Sequence, residues 1–528
     1  MLTPDYLFHV SDSIVELYEE LNTFAVNDIC RRLVKTDFRL SGSMEWQYRM
    51  LQEAGMSRRE INKEIARITK KSEQEVKNIF EDSSIKSYNA DMKVYRDAGL
   101  TPLPFAQSGA MLNILQSVYE QTNGTLHNLT RTTADVSQKL LIDTMSTVQF
   151  RILSGQQSYN QAIRQAVNKI SNEGVKVSYR GTERNLESVV RTAVLTGVNQ
   201  ASLKEQIHAA NQMGCDCLLT TAHMGARTGE GYKGHINWQG RVFSMTGKLY
   251  PEEEERIHEN IGDLYRDTGY GRVDGLGGVN CRHGVRPWII GHSSNPYTDD
   301  NGNPKIDTDE NNKLYEIQQN QRLMERGIRN QKRKLLALKS SIDACAETDV
   351  KDMLQSDYNK ASVKLRNQQA EYKKYCADNG VQTKSERMQI AKWSHKEAMQ
   401  AYQSSKREQI AIANKAEYDT INREIKDLGV RGKISLNPEI IDTTDYQFDD
   451  NHMNVIRGHN VTRQEAESYI QSARVSIMRQ DGKYVNYYSD NGATYVDVAD
   501  KTIRTSFKRE QFDEKLLGML EVLNRHGK

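Results

Sequence analysis

The sequence predicts a predominantly α protein with a Gly-rich α+β lobe bearing cysteine and histidine, a long helical or coiled-coil region and a small C-terminal α+β domain. Three observations carry this. Only 8 of 528 residues are proline, so long stretches contain nothing that breaks a helix. Apolar residues recur in steps of three and four through much of the chain, as one face of a helix requires. Segment 211–295 is different: glycine is dense, and it holds His223, His235, His258, His283 and His292 of the 12 histidines, Cys215, Cys217 and Cys281 of the 6 cysteines, and Trp238 and Trp288 of the 4 tryptophans.

Size and charge set bounds. A chain of 528 residues is too long for one core, so three or more units are expected. Lys plus Arg is 72 against 70 for Asp plus Glu, a net charge of +2. That balance excludes a globally basic nucleic-acid binder, so any basic surface must be local. The cysteine spacing is not that of a secreted disulfide framework and fits a reducing cytosol. Met1–Val10 lacks a basic stretch followed by an apolar one, so no signal peptide is expected. No run of 18 apolar residues occurs, so no transmembrane helix is expected.

Residues 1–120 read as an N-terminal helical domain. Ser57 with Glu60 and Ser72 with Glu75 match capping boxes, Ile61, Ile65 and Ile68 keep a helical period, and Gly55 and Gly99 suit helix C-caps. Residues 121–295 read as a second domain that ends in the Cys/His-rich lobe. In it, Ser158–Gln161 opens a helix carrying Ile163, Val167 and Ile170. Gly174–Tyr179 alternates like a strand, Arg180–Gly181 suits a turn, and a helix resumes through Val189, Val190, Ala193, Val194 and Val198.

Residues 311–427 read as a long helical region. Leu314, Ile317, Met324, Ile328, Leu335, Leu338 and Ile342, with Gln321 and Gln331 at the two remaining seam positions, form a coiled-coil or long-hairpin seam. Arg322, Arg326, Arg329, Lys332, Arg333, Lys334 and Lys339 stand against Glu325. This is either a solvated face or a surface for DNA phosphates. Residues 428–450, with Gly429, Gly432 and Pro438, read as a linker. Residues 451–528 read as a small α+β domain: a helix over Arg463–Ala473, strands at Val475–Met478, Tyr484–Tyr488, Ala493–Val498 and Thr502–Phe507, and a last helix bearing Phe512, Leu516, Leu517, Leu520 and Leu523. Asp481-Gly482, Asn491-Gly492 and Ala499-Asp500 suit its hairpin turns.

The glycine-rich segment offers ligands. Thiolates and imidazoles suit structural zinc, and four can close a tetrahedral site. Cys281 and His283 lie two apart, on one side of an extended segment, and His223 and His235 could complete the set. The alternative is a hydrogen-bonded polar core in which Arg227, His235 and Arg282 bond buried carbonyls. Cys281 with a histidine as nucleophile and base is disfavoured, because no oxyanion-hole segment or third orienting group stands out.

Several blocks in order carry a family resemblance: Met1-Leu-Thr-Pro-Asp-Tyr6, Thr122–Thr133, Ala193-Val-Leu-Thr-Gly-Val-Asn-Gln200, His223-x-Gly-Ala-Arg227, Trp238-Gln-Gly240 and Asn280-Cys-Arg-His283. Over about residues 1–345 the chain resembles the phage minor capsid protein 2 family, related to the Mu-type head morphogenesis proteins. That wider group ends its shared domain with Cys-Arg-Cys or Cys-Arg-His before a proline, as Cys281–His283 and Pro287 do here. Where it often has Cys-x-x-Cys earlier, this chain has Cys215-Asp-Cys217 and His223. The resemblance implies a low-copy virion protein of the capsid interior, near the portal protein and other capsid proteins, present in the host cytoplasm during assembly and acting in head assembly or DNA delivery. It implies no enzyme activity for residues 1–427. Residues 451–528 resemble phage-associated nuclease-like domains of the barnase, EndoU, colicin and RelE type. That likeness implies a metal-independent ribonuclease acting on RNA, with His459, Arg474, Arg504, Thr505 and Ser506 as the available catalytic groups.

Overall fold

A computed structural model describes residues 1–36, 38, 43–179, 181–248 and 261–528. His258 and the Arg180 side of the expected turn lie outside these. Contacts divide the chain into two units, Met1–Ser405 and Lys406–Lys528.

In the first unit, helices α1 (Pro4–His9) and α2 (Asp12–Lys35) precede α3 (Ser43–Asp97) and α4 (Gly109–Leu153). The expected capping boxes do not divide α3. Ser57 Oγ donates to Asp28 Oδ2 at 2.5 Å, and Ser72 Oγ donates to the Thr69 carbonyl at 3.1 Å. Ile61, Ile68, Val76 and Phe80 stay buried through both places, and that continuous packing outweighs local stop signals. Gly55 likewise sits inside α3, whereas Gly99 is a true C-cap: its φ is +75° and its amide bonds the Arg96 carbonyl.

Helix α4 runs back along α3, and the pair enters three cores in series. Tyr88, Met92 and Tyr95 meet Phe105 and Met111. Val76 and Phe80 meet Val118 and Leu126. Ile61 shares a core with Leu141 and Met145. Ser158 caps α5 (Tyr159–Glu173) as expected. Strands β1 (Lys176–Tyr179) and β2 (Thr182–Asn185) form a hairpin before α6 (Leu186–Gln212).

The lobe follows. Strands β3 (Cys217–Thr220), β4 (Val242–Ser244), β5 (Gly262–Asp263) and β6 (Val285–Trp288) align in the order β5-β4-β3-β6, with the short helix α7 (Leu264–Thr268) after β5. Glycine is needed here for close backbone approach. A Cβ at Gly275 would lie 2.2 Å from the Gly269 carbonyl oxygen, and one at Gly278 would lie 2.4 Å from that of Val273.

The long helical region is a hairpin of α8 (Thr308–Ala344) and α9 (Thr348–Asp378), followed by α10 (His395–Asp427). Ile328, Leu335, Leu338 and Ile342 of the expected seam are buried. Gln321 and Gln331 are buried as well and donate to the carbonyls of Gln382 and Ala361, each at 2.8 Å.

Part of the basic run of α8 turns inward onto acidic residues of α2 and α6, while Arg326 stays exposed. Arg333 lies 3.2 Å from Glu19 and 3.0 Å from Glu187. Lys332 donates to the Met388 carbonyl at 2.6 Å, and Lys339 lies 3.7 Å from Glu397. Arg333, Lys332 and Lys339 are thus engaged inside the unit. Burial pushes the Glu19 carboxyl up to about 7. Burial would raise the Glu187 carboxyl, but the Arg333 and Arg329 guanidinium charges outweigh it and hold the group below its usual range. The Arg333 guanidinium thus keeps Glu187 ionised, while burial and the neighbouring Glu187 charge favour a proton on Glu19 in spite of it.

In the second unit, β7 (Lys433–Ser435), β8 (Gln447–Phe448), β9 (Val475–Arg479), β10 (Tyr484–Tyr488), β11 (Gly492–Asp497) and β12 (Thr502–Lys508) form one sheet in the order β7-β9-β10-β11-β12-β8. Helix α11 (Arg463–Gln471) starts with a complete capping box from Thr462 and Glu465. Helix α12 (Glu514–Arg525) covers Val475, Ile477 and Tyr488 with Met519, Leu520 and Leu523. The four central strands fall where the alternation placed them. The expected linker 428–450 supplies both edge strands, because Ile434 pairs with Ile477 and Phe448 with Ile503.

Replacing Arg333 by Ala leaves Glu187 without its ion-pair partner and Glu19 with Arg329 alone, 3.7 Å away. It should lower the unfolding free energy of the chain by about 3–5 kcal/mol, read as a shifted urea midpoint. Glu187→Gln in the same background should restore part of that loss.

Candidate metal centre

Helix α6 holds the last stretch of the lobe. Asn199 donates to the Cys281 and His283 carbonyls at 3.0 and 3.2 Å. Gln200 donates to the Gly277 carbonyl at 3.0 Å, and the Asn280 amide donates to Thr196 Oγ1 at 3.3 Å. Thr221 and Gly284 bond each other, with the Gly284 amide 2.9 Å from Thr221 Oγ1. Asn311, at the start of α8, both donates to and accepts from the backbone of Ala226.

Within this frame His235, Cys281 and His283 converge, with ligand atoms all within 4.8 Å of one another. His235 Nδ1 lies 3.3 Å from His283 Nδ1, and Cys281 Sγ lies 3.7 Å from the same nitrogen. The outer nitrogens fix the protons. His235 Nε2 lies 3.1 Å from the Asp274 carbonyl, which can only accept. Gln239 Oε1 accepts from the His223 amide at 3.1 Å and faces His283 Nε2 at 3.0 Å. Both rings therefore carry their proton on Nε2, and two Nδ1 lone pairs face each other beside a thiol.

Burial in an apolar setting with Trp238, and nearby arginines, keep these rings uncharged. His235 is pushed down to about 4 by burial, and His283 is held well below the usual histidine range. Burial pushes the Cys281 thiol up.

The fourth expected ligand, His223, is placed differently. Its ring stacks on His283 with centroids 4.6 Å apart, and its Nδ1 lies 3.0 Å from the Met224 carbonyl. Cys217 joins an apolar cluster with Leu219, Val242 and Trp288, and Cys215 donates to the Met213 carbonyl. Part of the hydrogen-bonded core is also realised: Arg227 donates to the Asp274 and Val279 carbonyls at 3.3 and 2.7 Å. Arg282 instead lies over Phe8 at 5.2 Å, beside Arg387 at 3.6 Å and Arg322 at 5.9 Å. Sequence reasoning missed Asn199 and Gln239 as orienting groups, although both stand inside the blocks Ala193–Gln200 and Trp238–Gly240.

The five groups expected to form a nuclease site are spread across the C-terminal sheet. Arg474, just before β9, donates to Asp490 at 2.6 Å and Asn524 at 2.8 Å. Arg504 lies over Tyr484 at the opposite end of the strands, 4.6 Å from the ring centroid. Ser506 is buried and bonds Thr494 Oγ1 and the Ala493 carbonyl, and its neighbour Thr505 pairs with Tyr495 in the sheet. His459 faces Gln511 at 3.2 Å and the ring of Phe507.

A family model described as phage minor capsid protein 2 matches residues 2–377. The chain belongs to that family. The match takes in every block that carried the resemblance and nearly all of the α8–α9 hairpin. No curated protein and no solved structure matches the chain. As a member of this family it is a capsid component of the virion that interacts with other phage structural proteins. Among the described residues, no helix is long and apolar enough to cross a membrane.

Because Asn199 alone ties α6 to two carbonyls of the lobe, Asn199→Ala should destabilise this minor capsid protein by about 1–3 kcal/mol. Hydrogen exchange should speed up over 277–285 and stay unchanged in the second unit.

Proposed function

We propose that this minor capsid protein acts in head assembly close to the portal, inside the capsid, as a scaffold and not as a catalyst. The observation that supports this most is how the lobe uses its polar groups. Asn199, Gln200, Arg227, Gln239 and Asn311 all bond lobe backbone or ring nitrogens, and the Cys281 thiol is buried and raised above its ordinary range. Such a lobe holds shape and presents a fixed surface to the portal protein and neighbouring capsid proteins. Mass spectrometry of purified procapsids and mature particles should find the chain at low copy, and deleting its reading frame should leave heads that do not fill with DNA. Particles that lack the chain at every stage would overturn this.

A structural zinc is the second reading, favoured by the two facing Nδ1 lone pairs. Ligands on a tetrahedral zinc stand about 3.3–3.8 Å apart; two of the three separations here, 3.3 and 3.7 Å, fall in that range, and the set as a whole lies within 4.8 Å. His235, Cys281 and His283 would hold the ion, with Gln239 and the Asp274 carbonyl orienting the two rings. The ion would supply positive charge between the lone pairs and so stabilise the lobe. Protein purified without chelator should carry about one zinc per chain, and Cys281→Ser should lose it. Wild-type protein without zinc would return the three residues to a hydrogen-bonded core.

A further inference from the structure

The second unit contains a cleft of about 1090 Å³, enclosed by Gly429–Lys433 before and within β7, the β9–β10 turn and the start of α12. Its volume suits a small-molecule or nucleotide-sized ligand, for which about 300–1,000 Å³ is usual. Four basic side chains line it: Arg431, Lys433, Arg479 and Lys515. The acidic lining residues are Asp481 and Asp513. The Asp513 carboxylate already caps α12 by accepting from the Leu516 amide at 2.9 Å. Among the described residues, none of the four cations has an ion-pair partner.

Two further observations point into the same cleft. Asn486 Nδ2 donates to the Tyr488 hydroxyl at 3.2 Å, and that hydroxyl donates to Tyr495 at 3.1 Å. The chain of donors therefore ends on the Tyr495 O–H, whose proton is left for an acceptor in the cleft. The rim is a tight hairpin turn. Gln480, Asp481 and Gly482 hold φ of +47°, +51° and +93° in succession, as such a turn requires, and so fix the backbone at the mouth of the cleft.

We propose that this cleft binds a nucleotide-sized ligand through its phosphate. Arginine forks and lysine point charges are the side chains that recognise phosphate, and a hydroxyl donor beside them suits a phosphate oxygen. The site lies outside the segment that carries the family match and is separate from the His459, Arg474 and Arg504 positions. It therefore stands or falls independently of the capsid reading.

The test uses the full chain at about 50 mM salt, where phosphate contacts are strong. The probes are inorganic pyrophosphate, followed by calorimetry, and a fluorescein-labelled octauridylate, followed by anisotropy. The double variant Lys433→Ala, Lys515→Ala should weaken binding at least about tenfold. Tyr495→Phe, which removes only the hydroxyl, should weaken it by about threefold to tenfold. Arg457→Ala, an exposed cation outside the cleft, should change nothing. Pyrophosphate binding assigns a free phosphate compound, whereas octauridylate binding without pyrophosphate binding assigns a nucleic-acid backbone; either supports the proposal. Failure of both probes to bind, or equal binding by wild type and both cleft variants, overturns it.

Discussion

One buried guanidinium joins three parts of the N-terminal unit. Arg333 reaches from α8 to Glu19 on α2 and Glu187 at the start of α6. These residues are 314 and 146 positions away in sequence. Burying one cation with two carboxylates is costly, and it persists only where the surroundings supply further hydrogen bonds. Asn22 supplies one to Glu187 and uses its other end to hold the Val175 amide. Register between the helical hairpin and the body is therefore fixed by charge as well as by shape. That arrangement is why the α8–α9 hairpin belongs to the body and shares a core with residues from Ala25 to Ala401.

The lobe depends on this frame in turn. Helix α6 begins at Leu186, next to the Glu187 that faces Arg333, and further along presents Asn199 and Gln200 to the backbone of the lobe. The converging imidazoles are a second-layer product of that alignment. Their rings are oriented by acceptors that cannot donate, so their lone pairs have no choice of direction. Fold and site are thus one chain of positioning, from ion triad to helix to loop to ring.

Much of this was legible in the sequence, and the illegible parts share one cause. Periodicity found the helices, the strands of the C-terminal sheet and the α8 seam, because each pattern reports which face is buried. Ordered blocks such as Ala193–Gln200 and Asn280–His283 found the family and proved to be the two sides of one contact. Ser57 and Ser72 misled because a capping motif is local, while the packing of Ile61, Ile68 and Val76 that keeps α3 whole is not. The inward turn of Arg329 and Arg333 on α8 was hidden for the same reason: a sequence shows a cation but not the distant Glu19 and Glu187 that it meets. His223 had the right chemistry, and only the turn through Met224 sends its ring to stack instead of joining the triad.

Helix α3 has 55 residues, about 80 Å of rod at 1.5 Å per residue, and with α4 it threads three cores set end to end. The Tyr88–Tyr95 core at one end and the core around Leu335 and Leu338 share no buried apolar residue. A change of shape at that end of the rod therefore need not pass through the Arg333 region, whose register is held by other residues.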